Sequence, residues 1–287
     1  MIRGYTEPIT KIETKDFDAL VSLALAEDLP EGDITTDSLF TKDETCSANL
    51  VAREFGVLCG TQVIECLISK TKSNLLWHQS LQDGAKLQRG SLIGRFEGSL
   101  ANLLKMERIL LNFIQYLSGI STNACKVKDL YPNLLILDTR KTLPGYRKLA
   151  KYAVYIGGGA NHRIHLSDMA MLKDNHIHKA GSIENAVAFI RTKNPGKKIE
   201  LEIDGLFQLE EAIRSKPDII LLDNFNEADT TTAINKIKSE APEVRIECSG
   251  GITPEKLQFL SKFSDIGVSM GYLTHTVKFL DIGLDLV

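Results

Sequence analysis

The sequence has no apolar run near the roughly 18 residues that a membrane-spanning helix needs, no CxxC pair and no surplus of positive charge. Each absence removes a class of protein. The N-terminal MIRGYTEPITKIETKD lacks the apolar core of a secretory signal, so the expectation is a cytoplasmic chain. The five cysteines, Cys46, Cys59, Cys66, Cys125 and Cys248, are odd in number and scattered, which suggests reduced, mostly buried thiols and neither a disulfide framework nor a zinc site. With 37 Asp plus Glu against 34 Lys plus Arg, the formal charge is −3, and general affinity for nucleic acid or for an anionic membrane is not expected.

What is present is a local exception to that acidity. The stretch from Thr139 to Leu166, TRKTLPGYRKLAKYAVYIGGGANHRIHL, holds six Lys or Arg and no Asp or Glu. Positive charge gathered this way in an acidic chain calls for an anionic ligand or a solvated face. At 287 residues, 43% hydrophobic and 25% charged, the chain is long enough for one large α/β domain or two smaller ones.

The character of the sequence changes near residue 115. Before it, the polar turn EDLPEGDITT and short segments punctuated by Gly56, Gly60, Gly84, Gly90, Gly94 and Gly98 suit strands and turns of a smaller α+β domain, residues 1–115. Leu103, Met106, Leu110, Phe113 and Leu117 then recur at helical spacing, with Gly119 expected to break the helix. From Leu134 on, short apolar runs each stop at a polar cluster: LLILD, MAML, IELEI, DIILL, VRIEC and DIGVS. Helix-like segments such as SIENAVAFIRTK and FQLEEAIRS lie between several of them. Alternating buried strands and helices predict a parallel sheet, and six or seven strands fall short of the eight of a full barrel. The expected fold is α/β: an incomplete α/β barrel over residues 116–275, with a tail, 276–287, that returns to the first domain. A doubly wound sheet is the competing architecture.

In either architecture chemistry sits where the strands end. Those ends supply Arg140, Lys141, Arg163 and Lys173 as cations, His162 as a hydrogen-bond donor, and Glu202, Asp204 and Asp223 as carboxylates. Arg forks and Lys point charges match a carboxylate or phosphate. Isolated carboxylates nearby suit hydrated magnesium. Arg147, Lys148 and Lys151 do not follow a strand and read as ordinary solvated surface, while His165, His176 and His178 fit no metal-ligand spacing and read as structural or surface. In SGGITPEKL, Ser249, Gly250 and Gly251 precede a helix start capped by Thr253, and SMGYLTH offers Gly271 and His275 from the next strand; both suit phosphate at the last strands of a barrel.

The segments DTRKTLPGYR, GGGANHR, MLKDNH, LEID, LLDN, ECSGGI and EDLPEGDITT, in this order apart from the last, which is N-terminal, resemble the quinolinate phosphoribosyltransferases, type II phosphoribosyltransferases of NAD biosynthesis. The likeness runs from about Leu23 to His275. It implies transfer of a phosphoribosyl group from magnesium-bound phosphoribosyl pyrophosphate to quinolinate, with decarboxylation to nicotinate mononucleotide. It further implies that Thr139, Arg140, His162 and Arg163 hold quinolinate, with Lys173 close to both substrates and Lys141 toward the pyrophosphate. Glu202 and Asp223 would face ribose and Mg2+, and Ser249, Gly250, Gly251, Ser269, Gly271 and His275 the 5′-phosphate. Arg108, in MERILLNF, would complete the site of a partner in a homodimer. Two alternatives stay open at this stage: a paralogue of the same fold linked to molybdenum transport, and a nucleic-acid-binding module. The second is disfavoured by a basic run with only Tyr146, Tyr152 and Tyr155 for stacking.

Overall fold

The apolar runs that stop at polar clusters become strands in the computed structural model, which describes residues 5–41 and 43–287. In chain order the strands are β1 (Thr45–Ala52), β2 (Gly56–Val57), β3 (Leu75–Gln79), β4 (Lys86–Leu87), β5 (Leu92–Ser99) and β6 (Leu135–Leu137). They continue with β7 (Ala170–Leu172), β8 (Ile199–Ile203), β9 (Ile219–Asp223), β10 (Arg245–Ser249), β11 (Ile266–Ser269) and β12 (Ile282–Leu286). The chain divides into two units, one of residues 5–7, 127–140 and 160–271, the other of residues 8–126, 141–159 and 272–287.

The first unit is the barrel. Its six strands are parallel and ordered β6-β11-β10-β9-β8-β7. The six apolar runs correspond one to one with β6 through β11. At the β6 edge the segment from Ala160 onward is joined by a single bridge, Leu137 to Ala160, so the barrel is incomplete. Ser182 caps the helix Ile183–Lys193 by accepting from Asn185 N, as its place before SIENAVAF predicts.

Both faces of a parallel sheet in such a fold are covered, which decides where alternate residues go. In β8, Ile199, Leu201 and Ile203 share one face, while Glu200 and Glu202 share the other; in β10, Ile246 and Cys248 oppose Arg245, Glu247 and Ser249. Parallel register sets Glu202 level with Leu221 and Glu247 level with that same residue. The inward rows therefore run from Glu200 and Arg245 up to Asp223 and Ser249.

The second unit carries a four-stranded antiparallel sheet, β12-β1-β5-β3, and the short pair β2-β4. The helix Leu100–Leu130 buries Leu103, Met106, Leu110, Phe113 and Leu117. The expected break at Gly119 does not occur: the helix passes through it. A β-carbon at Gly119 would lie 2.3 Å from the carbonyl oxygen of Lys278, so glycine is there to admit the returning tail. Lys151 also departs from expectation. It is fully buried, because the helix Arg147–Ile156 buries Leu149, Ala150, Tyr152, Ala153 and Val154 as well and leaves that turn no solvated side. Lys148 is half-buried and pairs with Asp16 at 2.7 Å.

Candidate active site

In the barrel unit the polar residues converge at the carboxyl ends of the strands. Glu202 is the next-to-last residue of β8, and Asp223, Ser249 and Ser269 end β9, β10 and β11. Lys173 directly follows β7, and Arg140 lies three residues beyond β6. A cleft of about 450 Å³ there is lined by Arg140, Arg163, Met171, Lys173, His176 and Lys197, among others. Its cations have little to neutralise them. The Nε of Arg140 is buried without a hydrogen-bond partner among the described residues. Arg163 donates from one guanidinium nitrogen to the Met169 carbonyl at 3.1 Å, and burial, with Arg140 close by, pushes it below the usual guanidinium range. Lys173 is bonded to Glu202.

Asp138 holds the pocket wall in place. It is fully buried and accepts from Asn161 Nδ2 at 2.7 Å and from the His162 backbone N–H at 2.9 Å. That clamp adds to the single backbone bridge at Ala160 in fixing the segment Ala160–Arg163 against the end of β6. At the β10 end, Gly250 has φ +77° and a β-carbon there would lie 2.2 Å from Asn224 Oδ1, so the turn beside Asp223 needs glycine. Asn224 Nδ2 in turn donates to Asp223 at 2.7 Å. Thr253 caps the following helix, as expected.

His162 is placed differently from its neighbours. Its ring is 4% exposed and faces Glu200 and Glu247, both fully buried. Burial pushes Glu200 up to about 8, and burial reinforced by Glu200 pushes Glu247 up to about 8. Lys141, His275 and Arg108 belong to the other unit. All three are exposed; Thr274 donates to the Lys141 carbonyl at 2.7 Å, and His275 Nδ1 lies 2.8 Å from Thr276 Oγ1.

Sequence reasoning passed over Asp138, Lys197, His176, Glu200, Glu247 and Tyr5. His176 does have the structural role expected of it, accepting from the Lys173 N–H at 3.1 Å, yet it also lines the cleft. Glu200 and Glu247 could have been found from strict alternation in IELEI and VRIEC, which puts each on the inward face.

Two family descriptions cover most of the chain: quinolinate phosphoribosyl transferase, N-terminal domain, over residues 33–118, and its C-terminal domain over residues 120–285. The chain belongs to the quinolinate phosphoribosyl transferase family. The nicotinate-nucleotide pyrophosphorylase (carboxylating) of Mycobacterium leprae is 38% identical over 281 residues, covering 94% of this chain and 98% of that protein. The probable enzyme of the same name from Bacillus subtilis is 40% identical over 90% of this chain and 89% of its own. Among solved structures, the nicotinate-nucleotide pyrophosphorylase of Francisella tularensis superimposes with a TM-score of 0.93 at 35% identity, covering 98% of this chain and 100% of that one. For this family member the strand-end cleft is the place to seek its chemistry.

Proposed function

We propose that this chain transfers the phosphoribosyl group of phosphoribosyl pyrophosphate to quinolinate, releasing pyrophosphate and CO2 and forming nicotinate mononucleotide in de novo NAD biosynthesis. The observation that carries the reading is the strand-end cleft, which Arg140, Arg163, Lys173 and Lys197 line together and where Lys173 pairs with Glu202. A planar dianion supplies the missing charge, and guanidinium forks match its carboxylates.

The pyridine nitrogen displaces pyrophosphate at the anomeric carbon through an oxocarbenium-like state. No protein nucleophile is needed. Once alkylated, the ring is a cation that accepts the electron pair left when the adjacent carboxylate departs as CO2, and the resulting carbanion takes a proton. Acceleration comes from positioning and from cations fixed before charge develops. Glu202 and Asp223 fit a hydrated Mg2+: each carboxylate has one oxygen engaged, with Lys173 or Asn224, and each sits at the end of an adjacent strand. When bound with the co-substrate, the metal would supply charge neutralisation at the pyrophosphate. Ser249, Gly250, Gly251, Ser269 and Gly271 are assigned to the 5′-phosphate; Lys141, His275 and Arg108 carry their roles on the family resemblance alone. A homodimer with shared sites and a cytoplasmic location belong to the same reading. No helix among the described residues is long and apolar enough to cross a membrane, and the five cysteines form no disulfide among the described residues.

Supplying purified protein with phosphoribosyl pyrophosphate, Mg2+ and quinolinate, nicotinate or nicotinamide in turn tests the assignment. Mononucleotide is expected from quinolinate only. Comparable turnover of nicotinate would overturn the choice of acceptor.

A further inference from the structure

Beneath the cleft, in the barrel interior, lies a buried polar cluster with no part in the chemistry above. Glu200 and Glu247 are fully buried, His162 is 4% exposed and Tyr5 2%. The His162 Nε2 lies 3.0 Å from Glu200 Oε2 and 3.6 Å from Glu247 Oε2. On its other side, Nδ1 accepts a 2.7 Å hydrogen bond from the backbone N–H of Arg163. The Tyr5 ring packs edge-on against the imidazole, with centroids 5.5 Å apart and planes at 66°. Tyr5 is itself held by Lys198, which donates to its carbonyl at 3.0 Å, and by Arg245, whose guanidinium lies 5.8 Å from the ring centroid. Gly267 makes the room, since a β-carbon there would lie 2.5 Å from the Tyr5 hydroxyl.

Three ligand-type atoms of His162, Glu200 and Glu247 lie within 4.8 Å of one another, which invites a metal reading. The bonding pattern argues against it. A ring whose Nδ1 accepts from Arg163 carries its proton on Nε2, and a nitrogen bearing a proton does not ligate. The four carboxyl oxygens of Glu200 and Glu247 accept no hydrogen bond of regular geometry among the described residues, so the orientation of the ring is set on its Nδ1 side. Flipping it would set carbon against the Arg163 N–H and leave that buried donor without its acceptor.

We infer that His162 is a positioning residue, whose Nδ1 fixes the Arg163 backbone and, with it, the guanidinium presented to the cleft, while Nε2 faces the carboxyl groups of Glu200 and Glu247. Asp138 secures the same turn one residue earlier, through the His162 N–H. The two contacts leave the chain at His162–Arg163 little freedom. The Arg163 guanidinium is then aimed by its bonds to the Met169 carbonyl and to Met171 Sδ. The inference rests on the reading of the cleft as the quinolinate site.

The test compares His162→Asn, whose amide oxygen can occupy the Nδ1 position, with His162→Gln, whose amide reaches the Nε2 position and leaves the Arg163 N–H without an acceptor. For His162→Gln the KM for quinolinate should rise about tenfold or more while that for phosphoribosyl pyrophosphate stays within about twofold, and His162→Asn should recover most of the quinolinate affinity. Nitrogen-15 spectra of the wild-type protein labelled at histidine should show His162 as the Nε2–H tautomer, a result independent of which acceptor is used and of whether either variant folds. An Nδ1–H tautomer, equal damage from Gln and Asn, or equal shifts in both KM values would overturn the inference. A wild-type protein with the expected tautomer but no turnover of quinolinate would fault the substrate reading instead.

Discussion

Arg140→Ala is expected to lower kcat/KM for quinolinate by roughly two to three orders of magnitude, about 2.7–4 kcal/mol of lost transition-state stabilisation. The reason is visible in the cleft. Arg140 holds a buried, unpartnered Nε, and burial together with Arg140 already depresses the neighbouring Arg163. Two guanidinium groups kept this close and partly desolvated repel each other until an anion arrives. Removing one takes away a preorganised donor and half of that pair. Arg140→Lys should restore little, because a point charge cannot reproduce two parallel N–H bonds. Lys193→Ala, at an exposed residue ending the helix Ile183–Lys193, serves as the control and should leave activity unchanged. Steady-state kinetics decides it: an Arg140→Ala enzyme within about threefold of wild type would remove this residue from the site.

Arg108→Ala and Lys173→Ala should each be nearly inactive, yet a mixture of the two should regain activity. Arg108 is exposed on the helix Leu100–Leu130 and its side chain makes no ion pair or hydrogen bond with another described residue, in a unit that also exposes Leu23, Ile34, Leu39 and Leu143. An arginine held clear of its own carboxylates on such a unit suits a reach into a second copy of the chain. In a two-fold dimer with shared sites, one site of each mixed dimer would combine an intact Lys173 with the partner's Arg108. Random re-pairing makes half the dimers mixed, so roughly a quarter of all sites should recover. Dissociation, mixing and reassociation, followed by turnover, provides the measurement. No recovery despite demonstrated subunit exchange would return Arg108 to its own chain's site or to ordinary surface.

Much of this architecture could be read before any coordinates because strand ends in a parallel sheet are marked twice, by the apolar run and by the polar residue that stops it. Arg140, Lys173, Glu202, Asp223 and Ser249 all announce themselves that way. What escaped reading depends on contacts between distant parts of the chain. Gly119 looks like a helix breaker until Lys278 is known to pack against it. Lys151 carries a charge that normally means solvent, and only the burial of its whole helix turn overrides that. Glu200 and Glu247 could be placed by alternation on the inward face of their strands, but nothing local says that His162 and Tyr5 pack against them. Tyr5 reaches His162 across more than 150 residues and has no local signal at all.

The central claim is that phosphoribosyl transfer comes first and makes the pyridine ring its own electron sink. Quinolinate carrying a label in the carboxyl group next to the ring nitrogen tests this directly, with labelled CO2, pyrophosphate and mononucleotide measured in one reaction. The three products are expected in equal amounts, and omission of phosphoribosyl pyrophosphate or chelation of Mg2+ should abolish CO2 release together with the other two. Labelled CO2 formed without phosphoribosyl pyrophosphate would contradict the account, since decarboxylation would then not depend on alkylation of the ring nitrogen.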